Sequence, residues 1–406
     1  MKALLLAWKN VLRNRRRSLV TILIAAVGCA AILVASGFAL HTYEMLIEGA
    51  VHEYGHITLA HPDFFDREED SPLQFGVIGH EALMTRLAFD NRVVDILPRV
   101  SFSGLISNGD KSLVFLGTGA DLLRESQNRG QFFGLVSGSI RIPADKKEGN
   151  IYALVGAALA RSLGARPGDS LTLLATTTSG SLNAMDVEVS GLVSTGWEEL
   201  DKRLVYIDVA LAQRLLMTDR VSTLSVYLKK LKDVEGFRAD LLATAPGLAL
   251  RTWQQQAFYY LSVKSLYNRI FGLLGLIIAA LVLFSVINTL AMAVVERTRE
   301  IGTLRALGTY PAEIVAQFMR EGFLIGLSGV ILGNLLTGAI IWSLPYFALE
   351  MPPPPGRSEG YPLLVSASLP LYVVTNLLII LLCVGAAWAV SRRAARNPIV
   401  EALGHV

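Results

Sequence analysis

Glu296-Arg-Thr-Arg-Glu-Ile-Gly-Thr-Leu-Arg-Ala-Leu-Gly308 is a charged stretch lodged between two long runs that contain no Asp, Glu, Lys or Arg. Ile301, Leu304 and Leu307 recur at helical spacing and make an apolar edge, while Glu296, Arg297, Arg299, Glu300 and Arg305 stay charged. Gly308 suits a helix stop, Thr309 can cap the next helix, and Pro311 fits its first turn. The expected structure is a short helix, a sharp turn, and a second helix running through Glu313, Gln317, Arg320 and Glu321. Any loop between spans must be polar, but a mixed-charge helix with an apolar edge and turn residues at its end is more than a loop requires. The segment reads as a handle by which a cytosolic partner moves the membrane part.

The rest of the composition agrees with a membrane setting. The 406 residues are 52% hydrophobic and 17% charged, with a mean hydropathy of +0.46, too apolar for an ordinary soluble protein. Four uncharged windows are long enough to cross a hydrocarbon core, which takes roughly 20 helical residues: Ser18–Leu40, Ile270–Val295, Gly322–Phe347 and Leu369–Val390. Four spans put both termini on one side. Residues 1–40, 296–321 and 391–406 together carry 13 Lys and Arg against 5 Asp and Glu, whereas residues 41–269 carry 23 against 27. Short loops rich in Lys and Arg stay in the cytoplasm. The expected fold class is therefore an α-helical membrane protein with four transmembrane helices and a large extracytoplasmic α+β domain between spans 1 and 2. Both termini and the 296–321 connector are expected in the cytoplasm, and residues 348–368 form an outer loop.

At the N-terminus, Leu4, Leu5, Trp8, Val11 and Leu12 share one helical face, and Lys9, Arg13 and Arg16 the other. That is the pattern of a helix lying in the membrane interface over residues 1–17. The apolar run after Arg13, Arg15, Arg16 and Arg17 is too long for a signal-peptide core and lacks a convincing small-residue cleavage site, so it reads as an uncleaved first span. The two cysteines, Cys29 and Cys383, both fall inside spans, which leaves residues 41–269 to be held by their own core.

Within that region the helical pattern continues through Tyr43–Val51 and ends near Gly55. Strand patterns follow at His56–Ala60, Val93–Ile106, Ser112–Leu116, Ser170–Leu174, Asp186–Leu192, Leu204–Ile207 and Leu224–Tyr227. Helical patterns lie between them at Glu81–Phe89, Ala120–Arg124, Ala157–Leu163, Ala210–Met217 and Asp233–Thr244, a mixture that indicates an α+β domain. Asn108-Gly109 is a type I′ hairpin signal. The Lys146–Gly149 and Thr177–Ser181 stretches read as loops, and the region between them as a candidate inserted subdomain. Ala257–Arg269 is again helical and leads into span 2, so the two helices flanking the domain would form a stalk. Pro352–Pro355 is a stiff polyproline spacer. Gly322, Gly326, Gly329 and Gly333 in span 3, with Ala26, Ala30 and Gly37 in span 1, allow close helix approach.

The Glu296–Gly308 stretch resembles the coupling-helix signature of MacB/FtsX-type ABC transporter permeases, followed as in that family by a helix running into a Gly-rich span. The similarity extends to the Pro98–Gly109 stretch, to Leu159–Leu163 with Arg166-Pro-Gly-Asp169, to Gly191–Asp208 and Ala212–Leu216, to Gly37-Phe38, and to Trp253. These are most similar to the lipoprotein-releasing branch. The resemblance implies a permease subunit, without catalysis of its own, that pairs with a second copy or a homologous permease and with a cytosolic ATPase dimer. ATP and Mg would be bound by that partner, and this sequence has no Gly-x-x-x-x-Gly-Lys-Ser/Thr stretch with which to build a P-loop. It further implies the bacterial inner membrane, a lipoprotein or lipid-like cargo entering sideways, and room for a periplasmic acceptor. Phe38, Met45, Phe258, Tyr259 and Phe271 are apolar stalk positions that could meet such cargo or simply pack the stalk. The alternative within the family is force transmission to an exporter or a cell-wall hydrolase.

A reading from another class is a membrane-anchored zinc peptidase on His52-Glu53-Tyr54-Gly55-His56, which matches His-Glu-x-x-His. It requires one helix through both histidines, and Gly55 with the Ile57–Leu59 strand pattern argues that the helix stops between them. His61, His80 and Glu81 are the remaining nearby candidates for such a site. No catalytic triad and no basic-aromatic nucleic-acid surface stands out.

Overall fold

The computed structural model describes residues 7, 10, 13, 15–67, 73–130, 133–140, 151–244, 247–347, 349–351 and 361–395, with only the backbone of Arg67, Thr244, Tyr259, Glu350 and Tyr361. Most of the 1–17 segment, the Lys146–Gly149 loop, Pro352–Pro355 and residues 396–406 therefore lie outside the described residues. The chain divides into two compact units, Met1–Glu44 with Val263–Glu350 and Pro362–Val406, and Met45–Ser262 with Met351–Tyr361.

The first unit is helical. Among the described residues four helices are long and apolar enough to cross a membrane: Arg15–Tyr54, Tyr260–Glu296 within the longer helix Phe258–Glu296, Pro311–Phe347 and Leu369–Ala394. Their shared core contains Ala25, Cys29, Leu33, Val282, Val286, Ile325, Ile379 and Cys383. Small residues set the helix spacing. A Cβ built on Gly329 would stand 2.7 Å from the Ala25 Cβ, and one on Gly333 2.7 Å from the Cys29 Cβ. The same construction on Gly322 and Gly326 meets Cys383 of the Leu369–Ala394 helix, at 2.7 Å from its carbonyl oxygen and 3.1 Å from its Cβ. One pair of glycines thus receives the first span and the other pair the fourth, within about three turns of one helix. Thr21 and Thr289 add a 2.6 Å hydroxyl contact between the first two spans. Gly333→Leu is expected to force these helices apart at a cost of about 1–3 kcal/mol, the usual penalty of overpacking. A lower thermal midpoint of the detergent-solubilised chain checks this, with Gly338→Leu as the control because nothing lies within 4 Å of a Cβ there.

The second unit is built on a ten-stranded mixed sheet. Its strands are β1 (Ile57–Ala60), β2 (Val93–Ser107), β3 (Ser112–Gly119), β4 (Gly134–Gly138), β5 (Tyr152–Gly156), β6 (Ser170–Thr176), β7 (Leu182–Ser194), β8 (Leu204–Ile207), β9 (Thr223–Leu228) and β10 (Ala249–Thr252). The order is β10-β1-β9-β2-β3-β8-β5-β7-β4, with β6 bridging β2 and β7. Pairing is antiparallel except for β3 with β8 and β5 with β7. Short helices alternate with strands through the second half of the sheet, so the domain is mixed α/β rather than segregated α+β. Ile57, Leu59, Val100, Ile106, Phe115, Val155, Leu159, Leu173, Val205, Leu224 and Val226 fill its core.

Two expectations for this domain change. The region between the Lys146–Gly149 and Thr177–Ser181 loops is no inserted subdomain: β5 lies between β7 and β8, and β6 pairs with β2 and β7 inside the one sheet. The Asn108-Gly109 turn is not type I′. That turn needs positive φ at two residues, but here only Gly109 has it, at 95°. The loop is four residues long, from Ser107 paired with Ser112, and Asn108 closes it by accepting the Asp110 and Lys111 amides at 3.1 and 2.8 Å.

Candidate functional site

The helix Phe258–Glu296 breaks at Arg297, whose φ of −110° and ψ of 14° are not helical, and a new helix runs from Thr298 to Ala306. Its end is a Schellman cap: Thr309 N–H donates to Leu304 O at 3.1 Å and Gly308 N–H to Arg305 O at 3.0 Å. Gly308 at φ 97° makes the turn, a conformation that costs a side-chain-bearing residue. The next helix opens at Pro311, so Tyr310, not Thr309, holds the cap position, and the Glu313 carboxylate accepts from Tyr310 N–H at 3.4 Å. Local chemistry therefore sets a nine-residue helix between two sharp corners.

The predicted coupling residues divide by exposure. Arg299, Glu300, Leu304, Leu307 and Gly308 are exposed, with Leu307 at 80%, and Tyr310 beside them at 73%. Arg305 is half-buried. Ile301 points the other way and packs with Val294, Ile314, Phe318 and Ala395, so the three apolar residues of the segment do not form one outward edge. Leu304, Leu307 and Tyr310 remain as an exposed apolar ridge. Tyr310 was missed from sequence, although an aromatic residue directly before Pro311 is a visible signal.

Arg297 is also turned inward. Its Nη1 donates to Glu321 Oε1 at 2.9 Å, with both side chains over 90% buried, and Asn10 Nδ2 donates to the same oxygen at 2.7 Å. Arg297 Nη2 reaches Asn10 O at 3.4 Å. Two more pairs surround this knot, Arg13 with both Glu300 oxygens at 3.3 Å and Arg17 with Glu296 at 3.0 Å. Exposed pairs of that kind contribute about 0–1 kcal/mol each. Breaking a buried pair by removing one partner costs about 3–5 kcal/mol, so Arg297–Glu321 dominates the group.

The predicted stalk residues separate likewise. Within the helical unit Phe38 and Phe271 come together edge to face, ring centroids 6.3 Å apart, with Tyr267 stacked on Phe38 and edge-on to Phe271, and Tyr43 against Tyr267. In the sheet unit Met45 is half-buried and Phe258 is 78% exposed, while the Tyr259 side chain lies outside the described residues.

At the sheet-unit end of the Arg15–Tyr54 helix, Gly55 at φ 79° turns the chain into β1. The helix stops between His52 and His56, so the two are not on successive turns of one helix. His56 Nδ1 accepts the Leu228 amide at 3.1 Å, and His52 Nδ1 contacts Asn128 O. Among the described residues no cluster of three His, Cys, Asp or Glu is placed to hold a metal. The geometry does not build the peptidase reading. Instead the helix end is tied into the domain: Arg99 bonds Glu125 at 2.9 and 3.2 Å, Ser225 at 3.1 Å, Tyr227 at 2.9 Å and the Glu53 carbonyl. Arg129 bonds the same Glu125 at 2.6 Å, and Tyr227 donates to His52 O at 3.0 Å. No local pattern marked this network, because Arg99 and Glu125 lie on different elements.

Burial, with a smaller contribution from His52, lowers the His56 pKa to about 4. In the unfolded chain it titrates near 6.5. A histidine held neutral in the fold contributes fully above about pH 6.5 and loses that contribution as the pH falls to about 4. The thermal midpoint of wild type is expected to fall across this window, and His56→Asn, which keeps an acceptor for Leu228 without a titrating ring, should show a flatter profile. An equal slope in both would contradict the assignment.

Four apolar helices, a large sheet domain after the first of them and a clamped short helix between the second and third define a permease with an inserted domain. The chain belongs to the family of FtsX-like permeases with a MacB-like periplasmic core: the MacB-like periplasmic core domain matches residues 18–244, and the FtsX-like permease C-terminal domain residues 272–399. Curated relatives include the lipoprotein-releasing system transmembrane protein LolC of Xylella fastidiosa, 29% identical over 205 residues, which are 49% of each chain. LolC of Neisseria meningitidis is 30% identical over 48% of this chain and 51% of its own. LolE of Haemophilus influenzae is 24% identical over 63% of this chain and 62% of its own. The chain thus spans about half to three-fifths of the length of these relatives. The crystal structure of the periplasmic region of MacB from Actinobacillus actinomycetemcomitans aligns with a TM-score of 0.37 at 13% identity, over 49% of this chain and 88% of that one.

Proposed function

We propose that this chain is the membrane subunit of an ABC transporter, driven by a separate ATPase that docks on the Thr298–Ala306 helix. The observation that carries the reading is the ridge of Leu304, Leu307 and Tyr310, apolar and exposed on a helix whose other face is locked down. Such a ridge suits a partner's groove, with Arg299 and Glu300 at its rim. The chain would sit in the inner membrane with termini and ridge in the cytoplasm and the sheet domain in the periplasm, as the Lys and Arg distribution favours. ATP and its Mg would be held by the partner, since this sequence lacks a P-loop stretch. ATP-driven closure of two ATPases would move the ridge, and the first two spans would carry the motion outward. A second copy or a homologous permease would complete the transporter.

The names of the LolC and LolE relatives favour a lipoprotein or lipid-like cargo. One observation favours the second reading, in which the domain transmits force without handling lipid: Phe38, Tyr267 and Phe271 already pack on one another, one pair stacked and two edge to face. Purification from membranes in mild detergent tests both. A co-purifying ATPase supports the permease reading and its absence sinks it, while bound acylated cargo separates extraction from force transmission.

A further inference from the structure

The joint at Arg297 carries its own lock. Arg297 is the residue at which the helix ladder of Phe258–Glu296 is interrupted, and the Thr298–Ala306 helix starts from its carbonyl, which accepts Ile301 N–H at 2.9 Å. A break of this kind between two helices is where bending is easiest. Yet the side chain of that same residue leaves the joint and ends on Glu321, 24 positions onward in the Pro311–Phe347 helix. Asn10 closes the triangle from the N-terminal segment, donating to Glu321 and accepting from Arg297. Arg13 and Arg17 of the same segment reach Glu300 and Glu296, one acid on each side of the joint. Three separate pieces of chain are thereby pinned at one hinge.

We propose that Arg297, Glu321 and Asn10 are positioning residues that stiffen this hinge, so that a push on the Leu304–Tyr310 ridge moves the two adjoining spans instead of bending the corner. The N-terminal segment is then the third strut of the coupling device rather than only an interfacial anchor. Glu296 and Glu300 serve the strut through Arg17 and Arg13, and Glu300, still exposed, also stays at the rim with Arg299. The coupling role rests on the permease reading above; the stiffness does not, since it follows from the packing of this chain alone.

Two measurements on the full chain test it, using Glu321→Ala and, should that variant not insert, Glu321→Gln, which keeps the volume while removing the charge. Spin labels at Thr303 and Arg393, both exposed, report the angle of the short helix. Wild type should give one narrow distance distribution and the variant a broad one. With the co-purified ATPase, the variant should retain partner binding but lose about fivefold or more of the permease-dependent stimulation of ATP hydrolysis, the scale of ordinary coupling free energies. An unchanged distance distribution, or full stimulation in the variant, overturns the proposal. If wild type retains no ATPase the permease reading fails by itself, and the distance measurement still decides whether the brace exists.

Discussion

Glu125→Ala is expected to unfold or nearly unfold the sheet domain. Glu125 is fully buried between Arg99 and Arg129, themselves at most about a tenth exposed, and it accepts three hydrogen bonds from them. The substitution leaves two guanidinium groups inside the protein without their counter-charge, an expected loss of about 3–5 kcal/mol. That is a large part of the roughly 5–15 kcal/mol by which a domain is stable. Thermal unfolding and limited proteolysis of the purified full chain check this. Glu125→Gln keeps the shape and an acceptor and should fall between wild type and alanine. Burial pushes the Glu125 carboxyl up, but the two arginines outweigh it and hold the pKa below the usual range. A depressed carboxylate contributes fully above the unfolded value, about 4.3, and loses that contribution as pH falls below it. Wild type should therefore show an acid slope below about pH 4 that both variants lack. A Glu125→Ala chain as stable as wild type would mean that the network does not hold the domain.

Leu304→Asp is expected to abolish co-purification of the ATPase while leaving the chain inserted and its helices packed. Leu304 is 41% exposed and lies outside the core that Ile301 joins, so a carboxylate there costs the fold little. At a docked interface the same change buries a charge in an apolar contact, and anchor residues of that kind are worth about 2 kcal/mol or more on truncation. Leu307→Asp should act in the same direction. Ile301→Asp should behave differently and destabilise the chain itself, because it places a charge among Val294, Ile314 and Phe318. Glu300→Lys would break the Arg13 pair as well as alter the rim, so it reports on strut and docking together.

The long-range parts of this structure were less legible than the local ones, for identifiable reasons. The four long helices follow from uncharged runs, and the stops at Gly55 and Gly308 from residues that tolerate positive φ. The strand β5 is not legible because its short apolar run leads straight into the Ala157–Leu163 helix, and periodicity cannot tell such a run from the start of a buried helix. The helix Leu122–Arg129 extends five residues past the apolar pattern, and Glu125 inside it looks like a solvated charge until Arg99 is placed opposite. Arg297 misled in the same way. A charged residue in a polar connector reads as surface, and only the packing of Glu321 and Asn10 against it shows that it is core.

If energy reaches this chain through the Thr298–Ala306 helix, the ATP hydrolysis rate of the co-purified ATPase, reconstituted in liposomes with and without the permease, must depend on that helix. Wild type should raise the rate and Leu304→Asp should not. Stimulation that survives Leu304→Asp and Leu307→Asp together would contradict it.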